Sequence, residues 1–265
     1  MCGIAGFVND MPIDVKCPVL QRMTDMIAHR GPDSEGHYID EHAALGHRRL
    51  SIIDLGGGQQ PIYNEDGSKV ITFNGEIYNY QTLREELIAA GHTFTTKSDT
   101  EVLLHGYEQW GVDLLQRVRG MFTFVIWDKN KQELFGARDH FGIKPFYYAK
   151  MNGTFMYASE IKSLLRHPDF VKELNAEALK PYMTFQYPAI GETFFKGVYK
   201  LPEGHYFTYR DGKMDIHRYY DEDFREGKQK LGELVNSIDQ TVCDSVKAHQ
   251  IADVEVGSFL SSGVD

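Results

Sequence analysis

Short apolar runs bounded by turn residues fill most of the first 160 positions, a pattern typical of β-strands. Some runs face each other across turn dipeptides such as Asn152-Gly153, which predicts hairpins. The predicted strands are Cys2–Val8, two short strands within Ala43–Ile53 broken near His47, Val70–Phe73, Met121–Trp127, Glu133–Arg138, Phe146–Ala149 and Thr154–Ala158. Asn74-Gly75, a dipeptide common in turns, ends the run at Val70–Phe73.

Four further segments repeat apolar residues at spacings of three and four, as amphipathic helices do. These predicted helices are Pro18–Ala28, Tyr80–Ala90, Thr100–Trp110 and a long helix from Leu231 to Val246. Ser98 and Asp99 can cap the third helix, and Glu101 completes a capping-box pattern with Ser98. Because strands and helices do not alternate regularly, the order favours an α+β fold of stacked sheets flanked by helices.

The chain changes character near residue 215. A last hairpin, Tyr206–Tyr209 with Met214–His217, precedes a charged stretch at 221–230 that is typical of a linker. The long helix then leads to a predicted strand at Val254–Leu260. One helix and one strand cannot bury a core. We therefore expect one domain over residues 1–215 and the incomplete start of a second over residues 216–265.

Composition and charge exclude several classes of protein. The 265 residues are 42% hydrophobic and 25% charged, which excludes wholesale disorder. A net charge of −10 argues against a nucleic-acid partner, and the apolar runs are too short to span a membrane. Three scattered cysteines indicate a reducing, cytoplasmic location. The eleven histidines lack paired metal-ligand spacing, so no metal site is expected, and Gly56-Gly57-Gly58 is interpreted as a flexible loop.

Cys2 carries the clearest candidate chemistry. Removal of Met1 would leave a thiol and a free α-amine on one residue, and such an amine titrates near about 7.7–8.0, low enough to act as the thiol's base. Taken alone, Cys2 is more simply a buried strand residue that packs as a small hydrophobe. Asn74-Gly75 alone is a β-turn, Asp99 alone a helix cap, and Arg49 alone a surface charge.

Several motifs in order change that balance. They are Met1-Cys2-Gly3-Ile4-Ala5-Gly6, His29-Arg30-Gly31-Pro32-Asp33, the segments 47–54 and 73–79, Ser98-Asp99-Thr100-Glu101, and the segments 138–145 and 158–162. With these motifs the chain resembles the glutamine-hydrolysing asparagine synthetases, whose first domain is a class II, N-terminal-nucleophile glutamine amidotransferase. The resemblance implies an αββα sandwich of two antiparallel sheets, followed by the start of an α/β ATP-pyrophosphatase domain.

The resemblance also implies a role for each matching residue. Cys2 is the expected nucleophile. The Asn74 amide and the Gly75 N–H are the expected oxyanion hole, where glycine leaves the approach free of a Cβ. The expected substrate-binding groups are Arg49 for the α-carboxylate, Asp99 and Glu76 for the α-ammonium, and the backbone of Leu50, Ser51, Ile52 and Ile53.

The last five residues, Ser261-Ser262-Gly263-Val264-Asp265, resemble the pyrophosphate loop of the synthetase domain. That family pattern is Ser-Gly-Gly-x-Asp-Ser, from which Ser262 and the missing last serine depart. An ordinary Ser-Gly turn is the alternative. The resemblance implies ATP contacts at Leu260, Ser261, Ser262, Gly263 and Asp265, with ATP and Mg²⁺ as cofactors of the full-length enzyme and none for glutamine hydrolysis.

The predicted function is hydrolysis of L-glutamine to glutamate and ammonia through a Cys2 thioester. In the full-length enzyme, a ligase, the ammonia would serve ATP-dependent amidation of L-aspartate. Two alternatives stay open: a glutamine-binding domain that is inactive without its partner domain, and the amidotransferase domain of another amide-forming synthetase or of a sugar-phosphate or phosphoribosyl amidotransferase. The loop at 261–265 favours the ATP-pyrophosphatase type. A homodimer is also left open.

Overall fold

The structure, a computed structural model, describes residues 1–187, 191–227, 229–259 and 261–262. Within these ranges, twelve strands form two antiparallel sheets of six. The first sheet has the order β10 (Val198–Lys200), β8 (Tyr147–Met151), β9 (Thr154–Ala158), β1 (Gly3–Val8), β3 (Ala43–Arg49), β2 (Ser34–Ile39). The second has the order β12 (Lys213–Arg218), β11 (His205–Arg210), β7 (Glu133–Arg138), β6 (Gly120–Asp128), β5 (Lys69–Ile77), β4 (Ile62–Tyr63).

Six helices are described, and the first four of them pack on the outer faces of the two sheets. They are α1 (Ile13–Asp25), α2 (Tyr80–Ala89), α3 (Asp99–Trp110), α4 (Ile161–Leu164), α5 (Leu179–Phe185) and α6 (Leu231–His249), with 3₁₀ turns at Ala28–Arg30, Gly111–Gln116 and Ala176–Ala178. Leu20 of α1 and Leu164 of α4 pack on the first sheet, and Leu83 and Leu103 of α2 and α3 pack on the second. A third cluster fills the space between the sheets. This arrangement confirms the predicted αββα sandwich.

The alternation of side chains along each strand decides which residues face the space between the sheets. Ile4 of β1 and Leu45 of β3 belong to the cluster between the sheets, whereas Phe7 and Ala44 pack outward under α1. Cys2 is in phase with Ile4, and Arg49 is in phase with Leu45. On β5, Val70 faces inward, and Asn74 is in phase with it. Three candidate site residues therefore point toward the same interior space.

The hairpins predicted from turn residues are confirmed, but two predictions beside the site are wrong. Ala43–Ile53 is not two short strands, because β3 continues unbroken through Arg49, which pairs with Ser34 on β2. Likewise, Asn74-Gly75 is not a turn. Strand β5 continues through both residues to Ile77, with Asn74 opposite Thr123 on β6.

Helix α1 begins at Ile13, five residues before the predicted start, and has Pro18 in its interior. Burial of Leu20 and Met23 against the first sheet keeps the helix continuous although Pro18 lacks an N–H to donate. Helices α2, α3 and α6 are confirmed, with each end within three residues of the prediction.

The predicted capping box of α3 is wrong in its second half. Ser98 is the N-cap, and its hydroxyl accepts the Thr100 N–H at 3.2 Å. The Glu101 carboxylate instead accepts the N–H groups of Thr95 and Thr96, each at 2.7 Å. The Ser98 N–H is already bonded to the Thr96 hydroxyl, so it leaves no donor for Glu101.

The region after β12 differs in character from the sandwich. Helix α6 exposes its apolar residues, with Leu231 77% accessible to solvent. The predicted strand at Val254–Leu260 is wrong over its described residues, because no described strand lies beside 254–259 to share their backbone hydrogen bonds. The division into domains at 215/216 stays a prediction. In the part of the chain that the structure describes, no helix has the length and apolar character needed to cross a membrane.

Of the five residues expected to contact ATP, Ser261 and Ser262 are described and exposed. Leu260, Gly263 and Asp265 lie outside the described residues. The pyrophosphate loop therefore stays a prediction.

Candidate active site

A cavity of about 40 Å³ lies where the start of β1 and the end of β3 meet β5 of the other sheet. Its walls include nearly all of the predicted glutamine-site residues: Cys2, Arg49, Leu50, Ile52, Ile53, Asn74, Gly75, Glu76 and Asp99. Ser51 lies beside it, with its N–H donated to Asp33 Oδ2 at 2.8 Å. The structure thus brings together residues that are nearly 100 positions apart in sequence.

The Cys2 thiol is held against the loop that follows β3. Its Sγ lies 3.5 Å from the Leu50 carbonyl oxygen and 3.4 Å from the Leu50 nitrogen. Burial raises the pKa of this thiol, while the Leu50 backbone opposes that shift. Burial likewise lowers the pKa of the Met1 α-amine, the N-terminus next to Cys2. With Met1 in place, the Cys2 nitrogen belongs to a peptide bond and cannot act as a base for the thiol.

Asn74 has a side-chain amide without a partner. The residue is 1% exposed, and neither Nδ2 nor Oδ1 has a hydrogen-bond partner among the described residues. A buried unpaired amide costs stability, so such groups are rare and call for an explanation. An amide that lines the Cys2 cavity with a free N–H is placed to bind an oxygen of a ligand.

Gly75 is required by the neighbouring strand, while its expected role in the approach of substrate stays a prediction. A Cβ at Gly75 would lie 2.1 Å from the Met121 carbonyl oxygen and 2.7 Å from the Phe122 Cα, both on β6. Since these are backbone atoms of a paired strand, no side-chain movement could make room. Glycine here lets β5 and β6 stay paired beside the cavity.

Arg49 is fixed by the loop at 50–58. It is 5% exposed, and its Nη2 donates to the carbonyl oxygens of Ile53 and Asp54 at 3.0 and 2.6 Å. Asp54 has a φ of 53°, and its carbonyl oxygen also accepts the Gly58 N–H. A Cβ at Gly58 would lie 2.8 Å from Arg49 Nη2. The predicted flexible glycine loop is therefore a hydrogen-bonded turn around this guanidinium.

Two carboxyl groups also line the cavity. Asp99 is the first residue of α3, and its Oδ2 accepts the Ile77 N–H at 2.9 Å. Burial, with a contribution from Glu76, raises the pKa of Asp99 to about 7. Burial also raises the pKa of Glu76, and the nearby Lys144 opposes that shift. A ligand cation between Asp99 and Glu76 would stabilise both in their ionised forms.

Sequence reasoning missed two residues of this site. Lys144 is buried in the cavity wall, and its Nζ lies 3.1 Å from the Met1 Sδ. Gln60 joins two walls, since its Oε1 accepts the Phe73 N–H at 2.7 Å and its Nε2 donates to the Thr100 hydroxyl at 3.2 Å. Lys144 lies within the motif at 138–145, and that position in a motif could have identified it as a site residue. Gln60 lies in none of the motifs.

Comparison with known proteins gives one family and several relatives. Residues 1–220 match the family described as glutamine amidotransferase domain. The chain is 45% identical to asparagine synthetase [glutamine-hydrolyzing] 1 of Bacillus subtilis over 269 residues, which cover all of this chain and 42% of the relative. It is 35% identical to the amidase chry2 of Gibberella zeae, covering all of this chain and 41% of that protein. The chain thus spans about two fifths of the length of these relatives.

A solved structure shares the fold. The glutamine phosphoribosylpyrophosphate amidotransferase of B. subtilis superposes with a TM-score of 0.62, covering 83% of this chain and 50% of that one. The sequence identity over that superposition is 18%, so this likeness concerns the fold alone.

Proposed function

This chain belongs to the glutamine amidotransferase domain family, and from that premise we propose that it hydrolyses L-glutamine to glutamate and ammonia with Cys2 as the nucleophile. The relationship to glutamine-hydrolysing asparagine synthetases that its motifs predicted is confirmed. The roles of individual residues are our proposal. They are supported by the geometry of one cavity.

The observation that carries the proposal is the unpaired Asn74 amide in the same cavity as the Cys2 thiol. A thiolate that attacks the side-chain carbonyl of glutamine places negative charge on oxygen, and fixed donors stabilise that charge. Asn74 Nδ2 is a hydrogen-bond donor that has no acceptor among the described residues. Asn74 and the Gly75 N–H would together form the oxyanion hole.

The reaction balances in two steps. In the first, the Cys2 α-amine takes the thiol proton, the sulfur bonds to the side-chain carbonyl carbon of glutamine, and the C–N bond breaks as that proton passes to the departing ammonia. In the second, the amine takes a proton from water, hydroxide attacks the thioester, and the thiol regains its proton as glutamate forms. Arg49 would hold the α-carboxylate, while Asp99 and Glu76 would hold the α-ammonium.

Met1 must be absent for this chemistry. Met1 lines the cavity, where it occupies space beside Cys2, and its peptide bond to Cys2 removes the free α-amine. Removal of Met1 would both free the Cys2 amine and enlarge the cavity. We expect intact-mass spectrometry of active protein to show the chain without Met1, and activity in a sample that retains Met1 would contradict the amine as base.

The direct test is release of glutamate from L-glutamine by this chain, with Cys2→Ala as the control. Cys2-dependent release is expected. Release that survives Cys2→Ala would overturn the nucleophile. No release, from folded protein without Met1, would instead favour a glutamine-binding domain that requires a partner domain for turnover. Glutamine binding measured by calorimetry would separate that case from a chain with no glutamine site.

For the ammonia acceptor we propose L-aspartate, activated by ATP with Mg²⁺ in a longer chain. Support comes from the relatives named asparagine synthetase, of whose length this chain spans about two fifths. The second candidate is a different acceptor of the ammonia, because the chain is also similar to a protein of Gibberella zeae that is named an amidase. A cytoplasmic location is proposed with it, in keeping with three free cysteines. Asparagine formation by a chain extended through the synthetase region is the test.

A further inference from the structure

Four metal-ligating side chains converge beside α3, away from the Cys2 cavity. They are Glu65 in the turn between β4 and β5, His92 after α2, and His105 and Glu108 on α3. One ligand atom from each lies within 4.8 Å of all the others. None of the four lines the cavity that contains Cys2. The cluster is therefore a separate feature from the glutamine site.

The distances between these ligand atoms are those of a coordination site. His105 Nδ1 lies 3.1 Å from Glu108 Oε2 and 3.5 Å from Glu65 Oε2. His92 Nδ1 lies 3.5 Å from Glu65 Oε1 and 4.0 Å from Glu108 Oε2. In a tetrahedral site with metal–ligand bonds of about 2.0–2.2 Å, neighbouring ligand atoms are about 3.3–3.6 Å apart. Each histidine Nδ1 thus lies 3.1–4.0 Å from an oxygen of each glutamate, and a different Glu65 oxygen faces each histidine, so modest side-chain adjustments would bring one atom of each group around a single ion.

Both histidines present Nδ1 to the centre; His92 has an acceptor beside Nε2, whereas the buried His105 Nε2 has no hydrogen-bond partner among the described residues. His92 Nε2 lies 3.2 Å from Gln109 Oε1, and His105 Nε2 lies 3.6 Å from Glu101 Oε1. The acceptor beside His92 Nε2 favours the tautomer with the proton there and a lone pair on Nδ1. Glu101 is itself held by backbone N–H groups of the loop before α3. Histidines that bind metals are oriented by carboxylate or carbonyl acceptors in this way.

The two carboxylates are oriented as well. Glu65 Oε1 accepts the Thr93 N–H at 2.9 Å. Glu108 Oε1 accepts from Asn64 Nδ2 at 2.7 Å, which leaves Oε2 facing the histidines. The side chain of His105 is fully buried, whereas that of Glu65 is 38% exposed, so the cluster reaches solvent at Glu65. An ion could enter past Glu65.

We propose that Glu65, His92, His105 and Glu108 form a structural site for a divalent transition-metal ion of the zinc type. Two imidazole nitrogens and two carboxylate oxygens suit Zn²⁺, whereas Mg²⁺ and Ca²⁺ take oxygen ligands. Four protein ligands leave no open position for substrate, so the role is structural. The ion would join a turn, a loop and the helix whose first residue is Asp99, and it does not depend on the proposed glutamine hydrolysis.

The first test is metal binding by the full chain after removal of metal with a chelator. We expect one Zn²⁺ per chain by calorimetry, a rise in the thermal midpoint, and intense visible absorption from four-coordinate Co²⁺. Mg²⁺ should neither bind stoichiometrically nor raise the thermal midpoint. Absence of stoichiometric Zn²⁺ binding by folded protein would overturn the site, and the same contacts would then be an ion-paired cluster in which His105 carries a proton.

Variants assign the ion to these residues. Glu65→Gln keeps the shape of an exposed side chain, and His92→Ala removes a ligand at a loop. Each should weaken Zn²⁺ binding at least tenfold while the circular dichroism spectrum is kept. His42→Ala is the matched control, because His42 is an exposed histidine between β2 and β3, outside the cluster. Unchanged affinity in both Glu65→Gln and His92→Ala would place any bound ion elsewhere and contradict the assignment.

Discussion

Asp99 illustrates what burial does to a single carboxyl group. With its pKa raised to about 7, Asp99 is only partly ionised at neutral pH in the protein without substrate. A bound α-ammonium would supply the charge that burial has made costly to leave unpaired. At the residue scale, burial of Asp99 therefore links ionisation of the protein to occupation of the cavity.

The raised pKa of Asp99 predicts a pH-dependent stability. Because the folded chain holds this proton more tightly than the unfolded chain, Asp99 contributes stability below about pH 4, and this contribution is lost as pH rises toward 7. Asp99→Asn should remove that loss. Urea unfolding at pH 5 and pH 7, without glutamine, should show the free energy of unfolding shift in favour of Asp99→Asn as pH rises. Parallel profiles for variant and wild type would contradict the raised pKa.

Arg49 predicts a defect in binding. Arg49→Lys keeps the charge but loses the guanidinium fork that two carbonyl oxygens orient. The loss of charge-assisted hydrogen bonds worth about 1.5–3 kcal/mol should raise the KM for glutamine about 10- to 100-fold, with a smaller effect on kcat. Arg48→Lys is the control, since Arg48 is out of phase with Arg49 on β3 and is paired with Asp25 and Glu35. An equal rise in KM for both variants would place the carboxylate elsewhere.

At the scale of elements, one dipeptide type has two outcomes. Asn152-Gly153 forms the predicted turn, with φ of 49° and 83°. Asn74-Gly75 is extended in the middle of β5, because β6 supplies partners for both residues. Local chemistry predicts the first case. The second depends on a strand about 50 residues later in the chain, which no local pattern specifies.

The same limit explains which site residues could be predicted. Ordered motifs carried the resemblance and with it Cys2, Arg49 and Asp99, all of which the structure places in one cavity. Gln60 acts by joining β5 to α3, a relationship that exists only after folding. The proposed metal site could not be predicted from the sequence for a similar reason. Its four residues come from a turn, a loop and a helix that are brought together only by folding.

The contact between β5 and β6 predicts a strong effect of one methyl group. Gly75→Ala would place Cβ against backbone atoms of β6 at 2.1 and 2.7 Å, and should lower the free energy of unfolding by about 2 kcal/mol or more. Gly56→Ala is the matched control, because a Cβ there meets nothing within 4 Å. Denaturant unfolding of both variants tests this. Equal stability of Gly75→Ala and Gly56→Ala would contradict the strand-pairing account.

At the scale of the whole molecule, the segment after α6 contacts the loop at 50–58 that holds Arg49. Asp253 Oδ2 accepts the Asp54 N–H at 2.7 Å, and the Asp253 N–H donates to the Ile52 carbonyl oxygen at 2.9 Å. Asp54 in turn holds Arg49 through its carbonyl oxygen. Three residues thus connect a segment beyond the sandwich to the expected carboxylate-binding group.

This connection predicts that a change far along the sequence alters glutamine binding. Asp253→Ala should raise the KM for glutamine several-fold while kcat changes little, because the loop that orients Arg49 loses the hydrogen bond from the Asp54 N–H to Asp253. Asp244→Ala serves as the control, since Asp244 lies on the exposed face of α6 and bonds only within that helix among the described residues. Steady-state kinetics of both variants measure the effect. A KM for Asp253→Ala equal to that of Asp244→Ala would mean that the segment does not influence the site.

The proposed nucleophile and its proposed amide donor belong to different sheets. Cys2 continues β1 of the first sheet, and Asn74 lies on β5 of the second. The layer between the sheets contains Ile4, Trp127, Phe155 and Phe207. Packed sheets lie about 10 Å apart, and close-packed interiors respond to the gain or loss of a single methylene. The side chains packed between the sheets therefore influence the separation of Cys2 and Asn74. Two chains with identical cavity residues can differ in rate when the side chains between their sheets differ in volume.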